Sequence, residues 1–187
     1  MRTLVFVVGL LTAVSCAAPV ALDNQSPATF QTEPGGHEEA TVVSVTDGDT
    51  IRVQITGRVE GPGAGVANVG EEYPVRLIGI DTPETVKPGS PVECFGREAS
   101  AAAKALLEGE DVRLVKDVEN VDGYQRLLRY VYIGDEMANA RLVVNGYASA
   151  YTYPPNVRHA DLFVSLQREA RENERGLWVP ETCSGSP

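Results

Sequence analysis

The chain has 187 residues, with 26 acidic and 16 basic side chains and a formal charge of -10 at neutral pH. That length suits one ordinary domain with extensions and a sizeable core. The acidic balance excludes broad, non-specific adhesion to nucleic acid, but it leaves room for a small basic pocket in an acidic body.

In chain order, residues 1–18 have the pattern of an export signal: Arg2, the apolar run from Leu4 to Val14, then a small-residue exit from Ser15 to Ala18. The apolar run is short for a membrane span. Two endings stay open. Ser15 and Ala17 can frame ordinary cleavage, giving a secreted protein. Alternatively, Ala13-Val14-Ser15-Cys16 is like a lipoprotein box, with Ala13 in place of the usual leucine and Cys16 as a lipidated first residue anchoring a cell-surface protein. Residues 19–38 lack apolar periodicity and read as a flexible spacer. Without Cys16 two cysteines remain, Cys94 and Cys183, and export favours a disulfide between them over two separate thiols.

Folded sequence is expected over residues 39–180, with 181–187 as a tail. Strands are predicted at 41–45 and 50–56 around the turn Asp47-Gly48-Asp49, placing Asp49 on one face with Ile51, Val53 and Ile55. The Gly-rich connection 57–72 reads as a mobile loop with the length to reach over a cleft. In the strand expected at 74–80, Arg76 shares parity with Ile78 and Ile80, so an anion must sit opposite to offset its desolvation. Asp81 and Glu84 follow where Pro83 forces a turn, which suggests a site for a metal and a phosphate. A helix is predicted at 97–108, strands at 112–116 and 126–133, then helices at about 136–145 and 158–175. This order predicts an α+β fold: a five-stranded barrel of the OB type with three packed α-helices.

Only two histidines occur, His37 and His159, and no Walker-type or dinucleotide loop is present. These facts speak against a His-rich zinc centre and a Ser-His-Asp triad. The remaining candidates are Asp47, Asp49, Asp81, Glu84, Arg76 and Arg126, whose oxygens suit calcium or magnesium and whose guanidinium forks suit phosphate.

Three blocks carry a resemblance: Asp47-Gly48-Asp49-Thr50, Arg76 through Thr85, and Asp122-Gly123-Tyr124-Gln125-Arg126. Gly96-Arg97-Glu98-Ala99-Ser100, Tyr151-Thr152-Tyr153 and Gly176-Leu177-Trp178 add to it. Together, in order and at compatible spacing, they make the chain resemble the thermonuclease, or staphylococcal nuclease-like, family over residues 39–179. Singly, each block fits a blander role, such as Asp49 closing a turn, Arg126 as an edge charge or the tyrosines covering the core.

The resemblance implies a monomeric, calcium-dependent enzyme that hydrolyses the 5′ O–P bond of single-stranded DNA and RNA, leaving 3′-phosphate ends. By position it implies Asp49, Asp81 and the Thr82 carbonyl as calcium ligands and Glu84 as general base. Arg76 and Arg126 would stabilise the phosphate, Tyr124 would bind a phosphate, and Tyr151, with Tyr153, would contact bases. Where better-known members place lysines beside the phosphate pocket, this chain has Gly123 and Ser90, with Lys87 nearby. The alternative function is a non-catalytic OB-type surface module that binds nucleic acid or protein.

Overall fold

A computed structural model describes residues 29–85 and 91–183; residues 1–18, expected as an export signal and including Cys16, lie outside them, as do Lys87 and Ser90. Five strands close a barrel. Strand β1 (His37–Asp47) pairs antiparallel with β2 (Thr50–Val59), and β2 with β3 (Glu72–Leu77). Beyond β4 (Ile80–Asp81) and helix α1 (Gly96–Leu107) come β5 (Asp111–Val115) and β6 (Leu127–Ile133). β5 pairs with both β1 and β6, and a parallel β3–β6 contact closes the ring. The two-residue β7 (Glu136–Met137) leads into α2 (Ala138–Val144), and β8 (Ser149–Ala150) precedes α3 (Ala160–Glu172). The expected five-stranded barrel with three helices is therefore the observed fold.

β1 can serve two neighbours because its pairing with β2 shifts register between Glu39 and Ala40, Val42 and Ser44, and Val45 and Asp47. Such bulges bend and coil a strand, which ring closure requires. Ile51, Val53, Ile55, Val75, Leu77, Leu114 and Val131 fill the interior. Helix α1 lays Ala99, Ala103 and Leu107 against this body, and α3 lays down Phe163, Leu166 and Ala170.

Two expectations are corrected. First, order begins well before Glu39. A 3-10 turn at Phe30–Thr32 precedes β1, and the Glu33 side chain is almost fully buried. Glu33 accepts from Arg158 Nη1 at 2.7 Å and from the Tyr132 hydroxyl, and it lies 2.5 Å from His159 Nε2. The polar segment thus latches onto the start of α3. Second, the 57–72 connection is packed rather than mobile. Ala64 and Ala67 are buried, Lys116 N donates to Gly63 O at 2.8 Å, and Gly70 N donates to Ile55 O at 2.9 Å. Its Gly65 lies over Arg129 and Glu38, leaving no room for a Cβ.

The Glu33 latch gives a pH-dependent prediction. Burial alone would raise its carboxyl, but hydrogen bonds from His159 and Tyr132 and the charges of His159 and Arg158 outweigh it and hold it below its ordinary 4.5. A depressed carboxyl stabilises the fold above its unfolded value, and that contribution disappears as pH falls through the folded value. Glu33→Gln is expected to cost about 1–3 kcal/mol at pH 7. Thermal melts of both proteins should converge in acid below the ordinary value; a constant gap would refute the latch.

A disulfide joins Cys94, in the loop ahead of α1, to Cys183 in the C-terminal tail, with the Cα atoms 5.9 Å apart. No helix among the described residues is long and apolar enough to cross a membrane.

Candidate active site

The site collects where the β1–β2 turn, the end of β3 and the start of β6 meet. Asp49 is buried in the turn. Its Oδ1 accepts from Thr50 Oγ1 at 3.0 Å, and its Oδ2 accepts from the Thr82 amide at 3.2 Å. The same Oδ2 lies 3.1 Å from Arg76 Nη2, whose other short contact is Asp81 Oδ1 at 3.0 Å. One guanidinium nitrogen therefore stands between both carboxylates that the family resemblance implies as metal ligands.

Arg76 does not point among the aliphatic residues, as parity had suggested. β3 ends at Leu77, where Val75 and Leu77 face the core. The chain then turns through Gly79, at φ +82°, where a Cβ would meet Phe163 Cε2 at 2.2 Å. Ile78 and Ile80 thus lie beyond the strand, and the alternation rule stops applying. Instead Arg76 curls over the turn, its Nη1 donating to Leu77 O at 2.6 Å and Ile80 O at 2.9 Å. The anionic partners expected for it are Asp49 and Asp81.

Arg126 comes just ahead of β6 and is held differently. Its Nε donates to Asp122 Oδ2 at 2.7 Å and its Nη1 to Thr50 Oγ1 at 3.2 Å. Asp122 Oδ1 in turn accepts the amides of Tyr124 and Arg126, each at 2.9 Å. An Asx-type turn thereby aims the arginine. A guanidinium carries five N–H donors. Among the described residues Arg76 donates three hydrogen bonds and also ion-pairs with Asp49, whereas Arg126 donates two. Arg126 is the better-supplied phosphate fork of the two. Thr50 links both halves, since it accepts from Arg126 and donates to Asp49.

Glu84 is fixed through its main chain: its amide donates to Glu93 Oε2 at 3.0 Å, and the Glu93 amide donates to Glu84 O at 2.9 Å. Its carboxyl meets Asp47. Asp47 is buried and receives the Thr85 hydroxyl at 2.7 Å and the Gly48 amide at 2.8 Å. Burial, with the Glu84 hydrogen bond adding to it, pushes the Asp47 carboxyl up; its Thr85 and Gly48 donors pull the other way. The Asp81 carboxyl is also pushed up, first by burial, with the charges of Asp49, Glu93 and Glu84 adding and Arg76 opposing.

A cleft of about 700 Å³ runs from Arg76, Asp81 and Arg126 along Leu77–Ile80 to Tyr124, Tyr151 and Tyr153. The three tyrosines are exposed, and Tyr151 and Tyr153 lie nearly parallel with centroids 6.3 Å apart. The 57–72 connection supplies none of the cleft lining, so it does not cover the cleft. Thr50, Asp122 and Asn156 were not singled out as site residues from sequence. Of these, Thr50 and Asp122 stand inside blocks that carry the family resemblance, whereas Asn156 has no signal.

The donor set fits a hard cation. Asp49 and Asp81 converge beside Thr82, whose buried Oγ1 has no partner among the described residues. No group of three His, Cys, Asp or Glu side chains is placed for a metal among the described residues. A cation held here would rely on two carboxylates, main-chain oxygen and water, as calcium and magnesium sites do.

The model of the staphylococcal nuclease homologue family matches residues 74–180. The chain belongs to this family. It is similar to the thermonuclease of Staphylococcus intermedius, 42% identical over 141 residues covering 75% of this chain and 76% of that one. The thermonuclease of Staphylococcus hyicus is 36% identical over 159 residues, covering 80% and 86%. Endonuclease YncB of Bacillus subtilis is 33% identical over 171 residues, covering 85% and 75%. The family match begins at residue 74, after Asp49 and Thr50, which join the site through their hydrogen bonds to Thr82, Arg76 and Arg126.

Proposed function

We propose that the chain is an exported, calcium-dependent nuclease of single-stranded DNA and RNA that breaks the 5′ O–P bond and leaves 3′-phosphate ends. Its class, a nuclease and hence a phosphodiesterase, follows from the family and from relatives named thermonuclease and endonuclease. The observation that carries the finer reading is the continuous polar chain from Asp81 through Arg76, Asp49 and Thr50 to Arg126, set at the mouth of an aromatic-lined cleft.

Arg126, with donors uncommitted among the described residues, grips the phosphate, and Arg76 adds charge from the same cleft. Both stabilise the negative charge that builds on phosphate oxygens during in-line attack. Glu84 takes the proton of the attacking water, whose oxygen bonds to phosphorus while the 5′ oxygen departs and is protonated. Asp49, Asp81 and Thr82 are the residues that would hold calcium. An ion held there would supply Lewis-acid polarisation of the phosphoryl oxygens. Tyr151 and Tyr153 offer stacking faces to bases, and Tyr124 offers its hydroxyl to a phosphate.

The Cys94–Cys183 bond supports export, because disulfides persist in oxidising compartments. Incubating the mature protein with denatured DNA should give cleavage in calcium and none in excess chelator. No calcium-dependent cleavage at any salt concentration would sink the reading, and strand binding without turnover would favour the non-catalytic module.

A further inference from the structure

The cleft has a second polar end that phosphate chemistry does not use. Glu119, on the loop after β5, and Asn156, ahead of α3, line it beside the tyrosines. Asn156 is only 4% exposed, and its Oδ1 accepts the amides of Val118 at 3.1 Å and Glu119 at 3.0 Å. These bonds fix which way the amide faces, so Nδ2 is aimed at Glu119 Oε2, 3.0 Å away.

The other cleft carboxylates are neutralised: Asp81 by Arg76 and Asp122 by Arg126. Glu119 has no cationic partner among the described residues, and its Oε1 has no protein donor there. An uncompensated carboxylate in a cleft meant for a polyanion opposes binding unless the ligand brings donors to it. A phosphate brings none; a base edge can. Guanine presents N1–H and N2–H side by side, matching the two oxygens of one carboxylate. Uracil and thymine flank their single N–H with carbonyl oxygens. Adenine and cytosine place a ring acceptor beside their amino group, and that acceptor repels a carboxylate.

We infer that Glu119, oriented by Asn156, is a specificity-determining residue that reads the N1–H and N2–H edge of a guanine stacked on the cleft tyrosines. The inference rests on the nuclease reading only in that a base must enter this cleft. One bidentate base contact discriminates by about tenfold or more.

The test is calorimetric titration of the mature, disulfide-bonded protein in calcium with each of the four deoxynucleoside 3′,5′-bisphosphates. Guanosine bisphosphate is expected to bind about tenfold tighter than the other three, and Glu119→Gln, at an exposed position, should bring the four within about twofold. Equal affinities in the wild type, a guanine preference unchanged in Glu119→Gln, or binding of none of the four would each overturn the inference. Cleavage of denatured DNA is scored in parallel. Guanine-selective binding without any cleavage defeats the nuclease reading and leaves this one standing; cleavage with equal affinities does the reverse.

Discussion

Glu84→Gln is expected to lower the turnover of denatured DNA in calcium by about 10²–10⁴, the usual contribution of a positioned general base, while strand affinity stays near that of wild type. The substitution suits the site because the Glu84 main chain is clamped in both directions by Glu93. A glutamine keeps the length and the capacity to bond Asp47, but it cannot accept a proton from water. Asp47 is a poor substitute, since its Oδ1 already receives Thr85 and Gly48. The two arginines and the stacking tyrosines remain, so binding should survive. Single-turnover rates beside equilibrium binding separate the outcomes. A rate within tenfold of wild type would remove Glu84 from the base role, and a parallel loss of binding would make it a structural residue.

Much of the molecule was legible because its signals are local. Alternation in β1 and β2, glycine stops after the helices, and motif blocks around Asp49, Arg76 and Arg126 all act within a few residues. The failures share one physical cause, namely partners remote in sequence. Residues 29–38 are polar and looked unstructured, yet Glu33 is buried against Arg158 and His159, more than a hundred residues away. The orientation of Arg76 followed from parity only while the strand lasted, and the strand ends at Leu77 because Gly79 must turn against Phe163. Thr50 and Asn156 have no signature as positioning residues, because what makes them so is which amides and guanidiniums arrive from other elements. Glycine content made 57–72 look mobile, although Gly65 is glycine for the opposite reason, close packing.

That packing leads to the largest expected stability effect. Glu38 on β1 and Arg129 on β6 are both fully buried and face each other through two bonds, Nε–Oε2 and Nη2–Oε1, each 2.9 Å. Arg129 Nη1 completes its coordination on Asn120 O at 2.9 Å and Leu128 O at 2.8 Å. A Cβ on Gly65 would stand 1.8 Å from Arg129 Nη2, so the connection seals the pair from water. Glu38→Ala leaves a guanidinium, which does not surrender its proton in proteins, buried without its anion; the expected cost is about 3–5 kcal/mol. Replacing both residues by methionine removes the charge along with its partner and should recover most of that loss. Urea unfolding with unchanged slope measures both. A loss below about 1 kcal/mol in Glu38→Ala would mean that water reaches the pair and that the Gly65 seal is not one. The consequence extends to the site. Arg129 pairs with Leu77 in the parallel β3–β6 contact, one position along from the Arg76–Leu128 pair, and its carbonyl accepts the Ile78 amide at 3.1 Å. The same seam that buries this ion pair sets Arg76 and Arg126 along one cleft. Glu38→Ala should therefore lose phosphate affinity at temperatures where the barrel is still folded, before it melts.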